Sequence, residues 1–108
     1  GSHEMSKTYD CLLTLAVPEH LEEEMLDLLL AHDDLVSGFS VYAAEGLGSG
    51  SYLHTTLEKV RGRSRRRMIT LLMQQTEATT LVDRIMVQVP SPEVVWWTTA
   101  LTGFGRLA

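Results

Sequence analysis

The sequence contains few cysteines and prolines and lacks long apolar runs. A single cysteine, Cys11, cannot form an internal disulfide, so nothing points to an oxidising compartment. No apolar run approaches the roughly 18 residues that a membrane helix needs, and the start shows no secretory leader pattern. We therefore expect a cytoplasmic protein. With 108 residues, 44% of them hydrophobic, the chain is typical of one folded domain and not of a disordered segment.

The first four residues, Gly1-Ser2-His3-Glu4, are typical of the remnant of an expression tag, and Met5 is typical of a natural start. We therefore treat residues 1–4 as a tag remnant and residues 5–108 as a single domain. His3 and Glu4 are left out of the functional reasoning for this reason.

The formal net charge of −5 hides a segregation of charge along the chain. Half of the acidic residues lie between positions 19 and 34, where most of them form the water-facing side of a predicted helix. Six of the nine basic residues lie together in one short segment: Lys59, Arg61, Arg63, Arg65, Arg66 and Arg67. An acidic chain is a poor general nucleic-acid binder, so the net charge argues against that function. The local positive cluster is the charge that can indicate a binding site.

Apolar periodicity predicts six elements in the order β-α-β-β-α-β. The strands are predicted over Tyr9–Val17, Ser37–Glu45, Arg67–Gln74 and Glu93–Thr102. The first helix is predicted from Pro18 to about His32, and the second is predicted to be capped by Gln75 or Thr76 and to end before Pro90-Ser91-Pro92. This order predicts an α+β ferredoxin-like fold, with a four-stranded antiparallel sheet and two helices on one face.

The third and fourth strands are apolar on both faces, whereas a monomer with helices on one side of its sheet is expected to be polar on the other. The residues that must face away from the helices are either Met68 and Leu72 or Ile69 and Leu71, and either Trp96 or Trp97. An exposed patch of this kind usually marks an interface, so we expect a homo-oligomer. The alternative is that the chain ends or the long loop after the second strand cover this face.

The basic segment is the main candidate site. Guanidinium groups present planar donors that suit phosphate and carboxylate groups. Several of them at the junction of a loop and a strand can surround one anion, and a glycine among them lets the backbone approach the ligand. The candidate anion-binding residues are Lys59, Arg61, Gly62, Arg63, Arg65, Arg66 and Arg67. The alternatives are a solvated run of charge, or a run that pairs with acidic helices of a neighbouring subunit.

Metal binding and catalysis have weaker support in the sequence. The native cysteine and histidines lack close ligand spacings such as CxxC or HxxxH, and His54, in the loop after the second strand, is the best single metal candidate. We expect His32 to lie at the edge of the core, and Cys11 to be buried and unreactive. No Ser-His-Asp, Cys-His or paired-carboxylate arrangement stands out, so we predict no enzymatic activity, and the sequence identifies no cofactor.

The chain resembles the small PII-like proteins that are encoded beside heavy-metal efflux pumps in proteobacteria. The residues that carry the resemblance are the run from Cys11 to Glu19 with its acidic helix, Val36-Ser37-Gly38-Phe39, the loop Gly48-Ser49-Gly50 and the run from Glu58 to Arg67. The resemblance covers nearly the whole chain after residue 4, and the basic run is its most specific part.

Resemblance to the PII and CutA-like superfamily implies a ferredoxin-like trimer. It also implies that the segment from about Gly46 to Arg65 is a loop that contacts target proteins, and that adenine nucleotides bind in clefts between subunits. The chain departs from PII proteins after its second helix, where Pro90-Ser91-Pro92 stands in place of a glycine- and lysine-rich phosphate-binding loop.

The function that these observations favour is that of a non-enzymatic, oligomeric PII-like signalling protein. It would bind a small anionic ligand or a protein partner through the basic loop between strands two and three, and the resemblance implies a link to heavy-metal efflux. The alternative is a metal-binding or metal-responsive accessory protein similar to CutA. Nucleic-acid binding and membrane insertion are not expected.

Overall fold

A computed structural model describes residues 8–46 and 64–108 of the chain. Several predicted site residues therefore lie outside the described residues, namely His54, Lys59, Arg61, Gly62 and Arg63. Three members of the basic segment, Arg65, Arg66 and Arg67, lie within them.

The described elements follow the predicted order. They are strand β1 (Cys11–Pro18), a 3-10 turn (Glu19–Leu21), helix α1 (Glu22–Ala31), strand β2 (Ser40–Gly46), strand β3 (Ser64–Met73), helix α2 (Gln75–Gln88) and strand β4 (Val95–Ala100). Pro18 was predicted to open the first helix, but it ends β1 instead, because a proline without an N–H is tolerated where strand pairing stops.

The four strands form one antiparallel sheet in the order β2-β3-β1-β4. Strand β1 pairs over its whole length with residues 66–73 of β3, and Leu13 lies opposite Leu71. On the other side of β1, Leu13 lies opposite Thr98 of β4. This topology confirms the predicted α+β ferredoxin-like fold.

The core lies between the sheet and the helices, because alternate side chains of the central strands point the same way. The fully buried core residues with the largest side chains are Leu13, Leu15, Met25, Leu29, Ile69, Leu71, Met73 and Leu81. Cys11 is also fully buried, as predicted. Burial raises the pKa of its thiol, and the negative charge of Asp10 raises that pKa further, so the thiolate that reacts with other groups is disfavoured.

The N-terminal cap of helix α2 lies at least one residue before the predicted position. Gln74, and neither Gln75 nor Thr76, is the capping residue, and its backbone N–H donates to the Glu77 carboxylate. The next free backbone N–H, that of Gln75, donates to the Asp10 carboxylate at 2.8 Å. A side chain distant in the sequence thus satisfies one of the donors that every helix leaves unpaired at its start.

The face of the sheet opposite the helices carries exposed apolar side chains, and we call it the open face. The strand register places Met68, Leu72 and Trp97 on it, together with Tyr42 of β2. Leu72 is 38% exposed, Trp97 43% and Tyr42 52%. The register thus decides both ambiguous pairs of the sequence, since Ile69, Leu71 and Trp96 turn to the helices. Within the part of the chain that the structure describes, nothing covers this patch completely.

No helix among residues 8–46 and 64–108 combines the length and the apolar character that a membrane crossing requires.

Candidate anion-binding site

The basic segment ends inside a strand. Arg65, Arg66 and Arg67 belong to β3, which begins at Ser64, three residues earlier than predicted, so they are not part of a loop. The register pairs Arg66 with Ala44 and Arg67 with Ala43 on β2. Strand geometry therefore holds the backbone of these three arginines in place, which a loop would not do.

A surface depression of about 500 Å³ lies at this end of the sheet. Its lining residues are Glu19, Ala43, Ala44, Arg65, Arg66 and Arg67. Ala43 and Ala44 of β2 stand opposite Arg67 and Arg66 of β3, and their small side chains leave space beside the arginines, one on each side of the strand pair because successive residues of a strand face opposite sides. A strand with large residues at both positions would fill that space.

Arg67 is held by two carboxylates of its own chain. Its Nε donates to Oε1 of Glu22 at 3.0 Å, and its Nη2 donates to Oε2 of Glu19 at 3.3 Å. Arg67 and Glu22 are both less than a third exposed, so water screens their pairing only in part. Arg67 thus pairs with acidic residues of its own chain, whereas the predicted alternative was pairing with acidic helices of a neighbouring subunit. This pairing also means that Glu22 does not belong to the water-facing side of α1.

Arg66 is in the opposite situation. Its Nε atom is buried and has no hydrogen-bond partner among the described residues. A buried donor without an acceptor costs about 1–3 kcal/mol, so native structures rarely keep one without a reason such as a bound ion. Arg65 is exposed and forms no ion pair within the described part of the chain. Arg65 and Arg66 therefore line the depression with N–H groups that could donate hydrogen bonds to an anion.

The Arg67–Glu22 ion pair is expected to stabilise the fold. Replacing Glu22 by glutamine should lower the free energy of unfolding by about 1 kcal/mol, because it weakens a half-buried charged hydrogen bond between β3 and α1. Glu24→Gln is the matched control, since Glu24 lies in the same first helical turn, is exposed and loses the same interaction with the helix dipole. Urea unfolding measures both, and equal losses in the two variants would contradict a stabilising role for this pair.

The described histidines have structural partners. His32 lies after the end of α1, where Arg84 Nη1 is 3.1 Å from its Nδ1 and the side-chain amide of Gln88 is 3.1 Å from its Nε2. Because a guanidinium only donates, Nδ1 must accept this hydrogen bond. Arg84 also donates to both carboxylate oxygens of Asp34. This network places His32 at the edge of the core, as the sequence predicts.

The described residues contain no cluster of three or more His, Cys, Asp or Glu side chains that could hold a metal ion. His20 has a single acidic neighbour, with its Nε2 at 3.6 Å from Oε1 of Glu93. The predicted metal candidate, His54, lies outside the described residues.

The sequence did not predict the acidic residue of the site, Glu19, or its two alanines, Ala43 and Ala44. Glu19 was interpreted only as an acidic residue of the first helical turn, but its carboxylate lines the depression and contacts Arg67. The available signal was the segregation of charge itself, since an acidic and a basic segment of one small domain are natural partners. The distance of 48 residues between the two positions hid which members would meet.

Comparison with known proteins agrees with the fold and the resemblance. A family described as protein of unknown function (DUF3240) matches residues 7–108. A solved protein of that family, from Shewanella baltica OS155, is 14% identical with a TM-score of 0.71, and the match covers 94% of this chain and all of that one. No curated protein of established function matches the sequence.

Two further solved structures share the fold at low identity. One is CPII, a nitrogen regulatory PII-like protein from Thiomonas intermedia K12, solved with ADP, AMP and bicarbonate (15% identity, TM-score 0.62, 90% of this chain and 96% of that one). The other is CutA1 from Pyrococcus horikoshii OT3 (11% identity, TM-score 0.59, 88% and 86%). The family match over residues 7–108 shows that this chain belongs to the DUF3240 family, and its fold is the one that these PII-like and CutA structures share.

Proposed function

We propose that this protein is a non-enzymatic, PII-like regulatory protein that binds a small oxyanion in the depression formed by Arg65, Arg66 and Arg67. The observation that carries the proposal is the buried Nε of Arg66, which lacks an acceptor among the described residues and belongs to a residue that lines an open, basic depression. An oxyanion accepts hydrogen bonds from several guanidinium donors at once, which neither water nor a single carboxylate does equally well.

The similar solved structures support a regulatory role and a small oxyanion as one kind of ligand. The PII-like protein CPII was solved with bicarbonate as well as nucleotides, so this fold does accommodate a small oxyanion. In the present chain the connection from α2 to β4 contains Pro90-Ser91-Pro92 and no basic residue. It offers no positively charged side chain to a polyphosphate, and we therefore propose a small oxyanion and not a nucleotide.

The open face supports self-association as part of this function. Apolar patches of this kind on a sheet face are rarely left in water, and sheet-to-sheet packing would cover Met68, Leu72 and Trp97. We propose a homotrimer, as the PII-like resemblance implies, acting in the cytoplasm. The ligand would be reported to a protein partner through the segment that joins β2 to β3, and a transport system for heavy metals is the candidate partner that the resemblance suggests.

Isothermal titration calorimetry with a panel of anions tests the proposal. The panel contains phosphate, sulfate, bicarbonate, acetate and ADP at constant ionic strength, because charged contacts weaken with salt. The wild-type protein is expected to bind at least one oxyanion saturably at one site per chain. The double variant Arg65→Ala/Arg66→Ala is expected to lose that binding while keeping its circular dichroism spectrum.

The matched control is Arg106→Ala, which removes the same kind of charge from an exposed position near the C-terminus. It is expected to leave the affinity within about twofold of wild type, because a screened charge outside the site contributes little. Equal binding by wild type and the double variant, or no binding of any anion by wild type, would remove the basis for the proposal.

A further inference from the structure

The two carboxylates that contact Arg67 differ in their surroundings. Glu22 is 27% exposed, lies 3.0 Å from Nε and does not line the depression. Glu19 is 49% exposed, lies 3.3 Å from Nη2 and lines the depression. The first contact is therefore part of the fold, whereas the second is a weaker contact on the surface where a ligand would enter.

An anion that enters the depression meets the Glu19 carboxylate, which already accepts a hydrogen bond from Nη2 of Arg67. A carboxylate and an oxyanion compete for the same N–H groups, since both are acceptors only. They also repel each other, because like charges a few Å apart are unfavourable in a partly desolvated site. A ligand that engages Arg67 as well as Arg65 and Arg66 must displace Glu19 or share Nη2 with it.

Displacing Glu19 is possible at low cost. An exposed ion pair contributes about 1 kcal/mol or less, so losing it lowers the affinity of the ligand by about fivefold at most. Glu19 opens the 3-10 turn that joins β1 to α1. A ligand that releases its side chain therefore changes the contacts of this connection, while the Glu22 contact keeps Arg67 on α1.

We propose that Glu19 is an internal competitor for the anion site, which weakens binding of small oxyanions and whose release from Arg67 accompanies ligand binding. This inference rests on the proposed function, because it concerns the same depression. It adds a residue that sets the affinity and a contact that differs between the free and the bound protein.

Phosphate titrations of wild type, Glu19→Gln and Glu24→Gln test the inference. Glutamine keeps the size of the side chain at position 19 and removes the charge that competes for Arg67. Glu19→Gln is expected to lower the dissociation constant for inorganic phosphate about fivefold. Glu24→Gln makes the same change in net charge in the next turn but lines no part of the depression, and it is expected to stay within about twofold of wild type.

The outcomes separate this inference from the proposed function. If wild type binds phosphate and Glu19→Gln binds it equally or more weakly, Glu19 is not a competitor, but the site remains. If Glu24→Gln tightens binding as much as Glu19→Gln does, the effect is one of overall charge and the inference is wrong. If none of the three proteins binds phosphate or any other anion of the panel, the anion site itself is refuted and the inference with it.

Discussion

Leu72→Lys is expected to convert the oligomer into folded monomers and to raise the dissociation constant by more than about a hundredfold. Leu72 lies on β3, on the open face, opposite Leu12 of β1. In the proposed assembly it would be buried against a second copy, where an unpaired ammonium group costs several kcal/mol. In the free chain the same side chain is exposed to water, so the fold itself tolerates the substitution.

Leu30→Lys is the matched control, because it makes the same chemical change at an exposed leucine of helix α1, away from the sheet. Light scattering after size-exclusion chromatography should show an unchanged oligomer for this variant and a mass near 12.0 kDa for Leu72→Lys. Circular dichroism checks that both are folded. A monomeric wild type, or a folded Leu72→Lys variant with the wild-type mass, would contradict the proposed use of the open face.

Arg66→Met is expected to weaken phosphate binding by a factor of about ten to a hundred while leaving the protein as stable as wild type, or more stable by about 1 kcal/mol. The two effects have one cause. The buried Nε of Arg66 has no acceptor in the part of the chain that the structure describes, so its removal ends a desolvation cost, and methionine fills much of the space of the arginine stem. The same removal takes a charged donor from the bound anion.

A loss of phosphate affinity without a loss of stability distinguishes a binding residue from a structural one. Most substitutions of half-buried residues destabilise a fold, so a neutral or stabilising result at Arg66 is informative. Urea unfolding without phosphate measures the stability, and calorimetry measures the affinity. Arg106→Met is expected to change neither, since Arg106 is exposed and outside the depression. A clear loss of stability with unchanged affinity would mean that Arg66 serves the fold alone.

The order of the elements could be predicted because apolar residues recur with one period in the strands and another in the helices. Alternation with period two marks the strands, and the stripe of Leu21, Met25, Leu28 and Leu29 marks the first helix. The orientation of β3 and β4 could not be predicted, because both of their faces are apolar and a shift of one residue exchanges them. Pairing with β1 decides it, since Leu13 and Leu15 fill the core and bring Leu71 and Trp96 to the same side.

The site could be predicted in part. The density of arginines indicated an anion site, and Arg65, Arg66 and Arg67 do meet at one depression. The different contacts of the three arginines could not be predicted from the sequence. Successive residues of a strand face opposite sides, and only the neighbouring elements decide what each side chain contacts. Arg67 meets Glu19 and Glu22, whereas the Nε of Arg66 meets no acceptor in residues 8–46 and 64–108. The space beside them depends on Ala43 and Ala44, whose significance appears only when β2 lies against β3.

The central claim is that the Nε–H of Arg66 donates to a bound oxyanion, and nuclear magnetic resonance tests it most directly. The side-chain Nε–H signal of Arg66 can be assigned by its loss in Arg66→Lys and followed during titration with phosphate, with sodium chloride at equal ionic strength as the reference. We predict a saturable shift of this signal, with a smaller shift for Arg67 and none for Arg106. An Arg66 signal that phosphate moves no more than chloride does would contradict the claim.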